Sequence, residues 1–266
     1  RKGEYLSCIR LVGRTHIAAD VADVVKWIDD LNASMRSIPG EDTEHISLWV
    51  HTVRRKQTIN HTKVFPNKFS QELADKYNRI FDKKSLMVNE IYLTIIYRPV
   101  INKTNRFFAK FEKLKLNERI EQQEAYLQRL NNVTNLLLQG LRAYEPTRLG
   151  VYEHKGRMFC EMLEFFAYLI THKKTRVPVT RERYYNYLAT SRLMFSKHGE
   201  MGEIRYIDGS KFFGMLELKE YDNFSVPGHF NILLESDCEL VVAQSFTIIT
   251  KPAAEGFLKR HKKFLI

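Results

Sequence analysis

The chain has 266 residues, 42 Lys and Arg against 31 Asp and Glu, and a formal net charge of +11. Hydrophobic residues make up 44% of the chain and aromatic residues 12%, which is typical of a globular protein and excludes a disordered or collagen-like one. The longest apolar run, residues 163–170, is far shorter than the roughly 18 residues of a membrane-spanning helix, and three widely separated cysteines exclude a disulfide framework and indicate a reducing compartment.

Alternation and helical periodicity predict several elements in the first half of the chain. They are a strand at 5–12, a helix at about 21–37, a strand at 46–53, a short helix capped by Ser70, and a strand at 86–97. The strand at 86–97 is apolar on both faces, which is typical of a central strand covered on both sides.

Residues 105–139 contain neither Gly nor Pro, so they predict one long helix or a helical hairpin. Apolar residues follow a spacing close to a heptad repeat from Ile120 to Leu141. This stripe has two interpretations, a face that packs on the core and a seam for a partner helix or second subunit. The candidate seam residues are Leu127, Leu130, Leu137 and Leu141.

The second half predicts another mixture of strands and helices. They are a short strand near 149–153, helices over 157–171 and 180–190, a strand at 212–221, a short helix at 228–235, a strand at 240–249 and a helix from Pro252. Pro146 and Gly150 place a domain boundary between residues 1–146 and 147–266. The predicted fold is α+β, with mixed sheets of βαβ-type units packed with helices, including the long helix or hairpin.

The positive charge is segregated along the chain. Residues 54–68, 103–119, 171–183 and 259–263 together carry +17, so the remainder carries −6. Such segregation favours basic faces that meet anionic lipid, nucleic acid or an acidic protein surface. For any single basic patch, an ordinary solvated face is the competing interpretation.

The motifs of common catalytic sites are missing from the sequence. Gly209 and Gly214 have the spacing of a phosphate-binding P-loop, but Met215 follows where that motif needs Lys. The histidines and cysteines lack metal-ligand spacing, and Glu217, Glu220 and Asp222 are expected to be solvated at a strand end. No catalytic residue, cofactor or metal is therefore assigned to this chain, and the residues favour an assembly or docking module over an enzyme.

A series of segments resembles the CagE/TrbE/VirB family of type IV secretion ATPases, in the same order along the chain. The segments are residues 89–99, 162–169, 191–196, 213–221, 226–228 and 239–246. In that family an N-terminal α/β domain precedes a RecA-like motor that hydrolyses ATP. The resemblance covers the N-terminal domain, so it implies that ATP and Mg bind in a C-terminal domain beyond Ile266.

The resemblance also implies where such a domain works. It implies a bacterial cytoplasmic location at the inner face of the inner membrane, contacts with inner-membrane components of the secretion machine, and a homo-oligomer that is a hexamer or built from dimers. Polybasic segments attract anionic lipid, which makes a membrane surface a further expected contact. The candidate residues for membrane or partner contact are Arg54, Arg55, Lys56, Lys173, Lys174 and Arg176.

Two other functions compete with this one. A nucleic-acid-binding module is less favoured; it would use the net charge and the tyrosines at 184, 185 and 187 beside Arg181 and Arg183. A stand-alone enzyme would have to use the carboxylates at 217–222, and no motif supports it.

Overall fold

The computed structural model describes residues 3–14, 19–57, 64–82, 86–99, 116–197, 201–218, 231–249 and 251–262. These residues form an α+β fold, as the sequence predicts. Their strands are β1 (Tyr5–Leu11), β2 (Ile46–Gln57), β3 (Leu86–Tyr97), β4 (Pro146–Arg148), β5 (Val151–His154), β6 (Arg157–Cys160), β7 (Arg192–Phe195), β8 (Gly202–Tyr206), β9 (Gly209–Phe213) and β10 (Leu240–Thr247). Their α-helices are α1 (Val21–Arg36), α2 (Gly40–Thr43), α3 (Lys68–Asp82), α4 (Leu116–Gly140), α5 (Glu161–Thr171), α6 (Tyr185–Leu188), α7 (Asn231–Glu235) and α8 (Lys251–Lys262).

The chain divides into two compact units, residues 1–148 with 237–266, and residues 149–236. The first unit contains a five-stranded sheet in the order β10-β2-β3-β1-β4, in which neighbouring strands are antiparallel. Strands β1 and β2 both run antiparallel to β3, which lies between them, so β1-α1-β2 is a split βαβ unit. The predicted division at residue 146 stays a prediction, and β10 joins the sheet of the N-terminal unit.

Strand β3 is the centre of this sheet and has the bounds that the sequence predicts. Leu93, Ile95 and Tyr97 are buried on one of its faces and Thr94 on the other. The same strand explains why β2 is longer than predicted, because residues 54–57 of β2 pair with residues 86–89 of β3.

Helix α4 covers one face of the sheet. Its Leu130, Val133 and Leu137, with Leu141 just beyond the helix, belong to a core cluster that includes Ile9 of β1. Gly140 also brings α4 close to α1, because a Cβ atom at Gly140 would lie 2.5 Å from the Ser34 hydroxyl oxygen. The part of the apolar stripe from Leu130 to Leu141 thus packs in the core of the first unit, whereas Ile120 and Leu127 are exposed.

Helix α3 begins earlier than the sequence predicts. The Asn67 side-chain oxygen accepts a hydrogen bond from the Phe69 amide at 3.0 Å, so Asn67 satisfies a donor of the first turn and the helix begins at Lys68. The predicted cap, Ser70, lies inside the helix.

The second unit contains the β5–β6 hairpin, helix α5 and a three-stranded antiparallel sheet of β7, β8 and β9. The predicted helix over 157–171 was wrong in its first four residues. Lys155 and Gly156 adopt positive φ angles of 51° and 74°, which reverse the chain and pair residues 157–160 with β5. The predicted helix over 180–190 is confined to α6, and the predicted strand at 212–221 overlaps only the end of β9 among the described residues.

Candidate interaction surface

The first predicted basic cluster lies at the end of β2. Arg54 is only 8% exposed, and its Nη1 donates a hydrogen bond to the Asn89 side-chain oxygen at 3.0 Å. Asn89 is also the register partner of Arg54 on β3. The Arg54 guanidinium is therefore bound to a neighbouring side chain of β3 and is not available for contact with a membrane or a partner.

Arg55 forms a two-bond ion pair with Glu90 of β3. Its Nε lies 2.9 Å from Oε2 and its Nη2 lies 2.7 Å from Oε1 of the carboxylate. The Tyr92 hydroxyl donates to the same carboxylate at 3.3 Å, and burial together with the Glu90 charge raises the pKa of Tyr92 above its ordinary value. This arrangement neutralises the charge of Arg55 locally.

Lys56 has a different position from the two arginines. Lys56 is exposed. Its backbone N–H donates a hydrogen bond at 3.0 Å to Oε1 of Glu239, the residue before β10. Of the three residues predicted in this cluster, Lys56 presents its side chain at the surface.

The second predicted cluster follows helix α5. Lys173 Nζ contacts both carboxylate oxygens of Asp208 at 2.9 and 2.6 Å and lies 5.4 Å from the centre of the Tyr206 ring. The hydrogen bond from Lys173 lowers the pKa of Asp208. The Tyr206 hydroxyl donates to the Thr171 carbonyl, so these contacts fasten the end of α5 to the β8–β9 hairpin.

Lys174 and Arg176 complete this cluster and are both exposed. Arg176 lies near the Tyr152 hydroxyl, which donates to Glu164 Oε1 at 2.7 Å. Burial and the contact with Glu164 raise the pKa of Tyr152. Glu164, which interrupts the apolar run of α5, also accepts a hydrogen bond from the Val177 amide at 3.3 Å.

The four leucines of the candidate seam differ in exposure. Leu130, Leu137 and Leu141 are buried in the core of the first unit, while Leu127 is 44% exposed. The three buried leucines agree with the core-packing interpretation of the stripe and are unavailable for a contact with another subunit. Leu127 is the candidate seam residue that stays accessible.

The aromatic residues of the nucleic-acid alternative lie around α6. Tyr185 is 60% exposed, whereas the Tyr187 hydroxyl donates to Glu182 Oε2 at 2.8 Å. That contact with Glu182 raises the pKa of Tyr187. A carboxylate held at this position disfavours a phosphate backbone nearby.

Within the described part of the chain, no group of three His, Cys, Asp or Glu residues could hold a metal ion. Glu217 is exposed, while Glu220 and Asp222 lie outside the described residues. The helices searched within those same ranges are all too short or too polar to cross a bilayer.

Two family models match the chain in succession. One, described as the N-terminal domain of the type IV secretion system ATPase VirB4/TrbE, matches residues 1–105. The other, described as the CagE, TrbE, VirB family, component of type IV transporter system, matches residues 147–266. The chain belongs to this family. The family resemblance predicted from the sequence is confirmed.

Curated relatives agree with this membership. A type IV secretion system protein virB4 of Brucella abortus is 32% identical over 273 residues, covering 100% of this chain and 32% of the relative. The virB4 protein of Bartonella quintana is 30% identical over 93% of this chain and 31% of its own length. The type IV secretion system protein PtlC of Bordetella pertussis is 28% identical over 95% of this chain and 30% of its own length. The chain thus spans about a third of the length of the relatives that it matches.

The basic residues of the two clusters could be predicted from the sequence, but their partners could not. Glu90 forms an ion pair with Arg55, and Asp208 forms one with Lys173. Glu164 accepts a hydrogen bond from the Tyr152 hydroxyl. Glu90 and Asp208 are both 35 residues from the cations that they bind. For Glu164 the sequence does carry a signal, because a carboxylate that interrupts an apolar helical run is half-buried and needs a partner.

Proposed function

We propose that this chain is the docking and assembly region of a type IV secretion ATPase, which anchors an ATP-driven motor to inner-membrane components for translocation of protein or DNA and for pilus biogenesis. The observation that carries the proposal is the succession of the two family models, one of which is named for the N-terminal domain of such an ATPase. The proposed location is the cytoplasmic face of the bacterial inner membrane.

The proposed site of ATP binding and hydrolysis lies outside this 266-residue chain. ATP and Mg would bind in the part of the parent protein that corresponds to the further two thirds of the relatives' length. Homo-oligomers, hexameric or built from dimers, would then hold several motors together. The proposal is that this chain supplies position and that the motor supplies hydrolysis.

We propose three of the six candidate residues for contact with a membrane or a partner. Lys56, Lys174 and Arg176 are exposed. Arg54 is buried, Arg55 is half-buried in an ion pair with Glu90, and Lys173 is exposed but ion-paired with Asp208. Each exposed cation near an anionic bilayer contributes about 1 kcal/mol. Three such residues would bind a membrane weakly, so a protein partner would have to add a second attachment.

The test compares charge reversals at matched exposure. Lys56→Glu, Lys174→Glu and Arg176→Glu, made singly and together, are expected to lower both flotation with vesicles containing phosphatidylglycerol and cross-linking to inner-membrane secretion components. The control is Lys76→Glu with Lys197→Glu, which reverses two exposed charges elsewhere. Undiminished association of the triple variant at low salt would remove these residues from the proposal.

The same variants address the nucleic-acid alternative. If the wild-type chain binds DNA with submicromolar affinity and a steep dependence on salt, and binds neither the vesicles nor the secretion components, a nucleic-acid-binding module is favoured. Weak DNA binding that the control variant lowers equally would reflect only the net charge of the chain.

A further inference from the structure

The five-stranded sheet of the first unit has two very different edges. At one edge, β4 has three residues and includes Pro146 and Arg148. Short edge strands, proline and charge are the usual protections against pairing with another strand. At the other edge, β10 has eight residues, and its sequence Leu-Val-Val-Ala-Gln-Ser-Phe-Thr contains neither charge nor proline.

The outer side of β10 is accessible among the residues that the structure describes. There, β10 pairs with β2 along its full length and has no second strand neighbour. Ala243, Ser245 and Thr247 are exposed, and Phe246 is 50% exposed. Alternate backbone N–H and C=O groups of such a strand point away from its partner and can accept another strand.

We propose that β10 pairs with β10 of a second copy of this chain, antiparallel across a two-fold axis, to make one continuous sheet. This inference deepens the homo-oligomer of the proposed function by naming the surface that forms it. It does not depend on membrane docking, so the two proposals can fail separately.

The sequence of β10 fits a copy of itself. With Ala243 on the axis, Val242 lies opposite Gln244 of the second copy and Leu240 lies opposite Phe246, so each exposed Phe246 gains an apolar neighbour. This register keeps the helix-covered faces of the two sheets on the same side, because opposite residues share a face. The absence of charge along the strand leaves no like charges facing each other across the axis.

The flanking sequence also favours an antiparallel copy. Glu235, Asp237 and Glu239 precede the strand, while Lys251 follows it. Antiparallel pairing places the acidic approach of one copy beside the basic exit of the other. Parallel pairing would place the acidic segments together, and like charges side by side are unfavourable.

The first experiment measures the mass of the 266-residue chain over a range of concentrations by sedimentation equilibrium. The wild type is expected to dimerise, and Ala243→Lys with Ser245→Lys is expected to weaken the dimer by about tenfold or more, because it places lysines on both sides of the axis. Ala125→Lys, at another exposed alanine, is the matched control and should leave the dimer unchanged. A wild type that stays monomeric throughout, or a dimer unaffected by the two lysines, would overturn the proposal.

The second experiment tests the register in a Cys238→Ser background, since Cys238 is exposed. Ala243→Cys should be joined to its copy efficiently by a short thiol cross-linker, because directly opposed Cβ atoms lie about 5 Å apart. Thr247→Cys should not, because eight residues of strand separate the two copies of position 247 by about 27 Å. Cross-linking at 247 equal to that at 243 would overturn the pairing even if the chain dimerises.

Discussion

Gly202 lies opposite Phe213 in the sheet of β7, β8 and β9, and the pair depends on the missing side chain of the glycine. A Cβ atom at Gly202 would lie 2.3 Å from the Phe213 ring, which also contacts Phe195 edge-on at 5.8 Å between ring centres. Gly202→Ala is therefore expected to lower the free energy of unfolding of the second unit by about 1–3 kcal/mol, as overpacking does.

This change in the free energy of unfolding is measured by hydrogen exchange at the β8 amides over a series of urea concentrations. Gly150→Ala is the control, because nothing lies within 4 Å of a Cβ atom there. In a Phe213→Leu background, the alanine at 202 should cost much less. An equal cost in both backgrounds would show that the ring is not what excludes a side chain at this position.

Cys8 is a buried thiol whose reactivity should differ from that of Cys238. Burial raises the pKa of Cys8 from 9.0 to about 12, although the Thr94 hydroxyl, 3.6 Å from Sγ, partly offsets the shift. Because the thiolate is the reactive form, Cys8 should be silent towards Ellman's reagent in the native chain at pH 8, whereas exposed Cys238 should react. Cys238→Ser should abolish the fast phase, and labelling of Cys8 at a similar rate would contradict the burial of β1.

The same thiol gives a prediction for alkaline stability. The unfolded chain releases this proton near pH 9, while the folded chain keeps it until about pH 12. The contribution of Cys8 is therefore complete below pH 9 and is lost as the pH rises towards 12. Cys8→Val should flatten the fall in the free energy of unfolding between pH 9 and 11, as measured by urea titrations, and an unchanged slope would assign that fall to other groups.

Leu137 and Leu127 distinguish two roles of helix α4 that the sequence could not separate. Leu137 is fully buried against the sheet, while Leu127 is 44% exposed. Leu137→Ala is expected to lower the free energy of unfolding by about 2–5 kcal/mol, and Leu127→Ala by less than about 1 kcal/mol. Thermal and urea denaturation at a low and a high protein concentration measure both changes, and a loss of stability in Leu137→Ala that depends on concentration would instead indicate a subunit seam.

Among the helices and strands, the sequence predicted those whose hydrophobic periodicity extends over many residues. Strand β3 is mostly apolar on both faces from residue 91 to residue 97, so its central position could be predicted from the sequence. Strands β6, β7 and β8 have only four or five residues each, and they exist because turns bring them to a neighbour. Likewise, residue type predicted that Arg55 and Lys173 are charged, but only folding brings Glu90 and Asp208 to them.

Strand β10 makes the first unit discontinuous in sequence, which decides how the whole chain can be divided. Eight residue pairs join β10 to β2, from Leu240 opposite Arg54 to Thr247 opposite Ser47. A fragment of residues 1–146 would lose this strand and turn the twelve-residue β2 into an exposed edge. We expect that fragment to aggregate, or to exchange its β2 amides much faster than the full chain does.

Joining residues 1–148 to 237–266 through a flexible Gly/Ser linker should restore the sheet, because it returns β10 without residues 149–236. The measurement is hydrogen exchange at residues 47–54, compared among the full chain, the joined fragment and residues 1–146. A joined fragment carrying Val241→Asp and Val242→Asp is the control, since both valines are half-buried in the strand. Equal protection of β2 in residues 1–146 and in the full chain would mean that the N-terminal sheet is complete without β10, and that the chain divides near residue 146 as its sequence predicts.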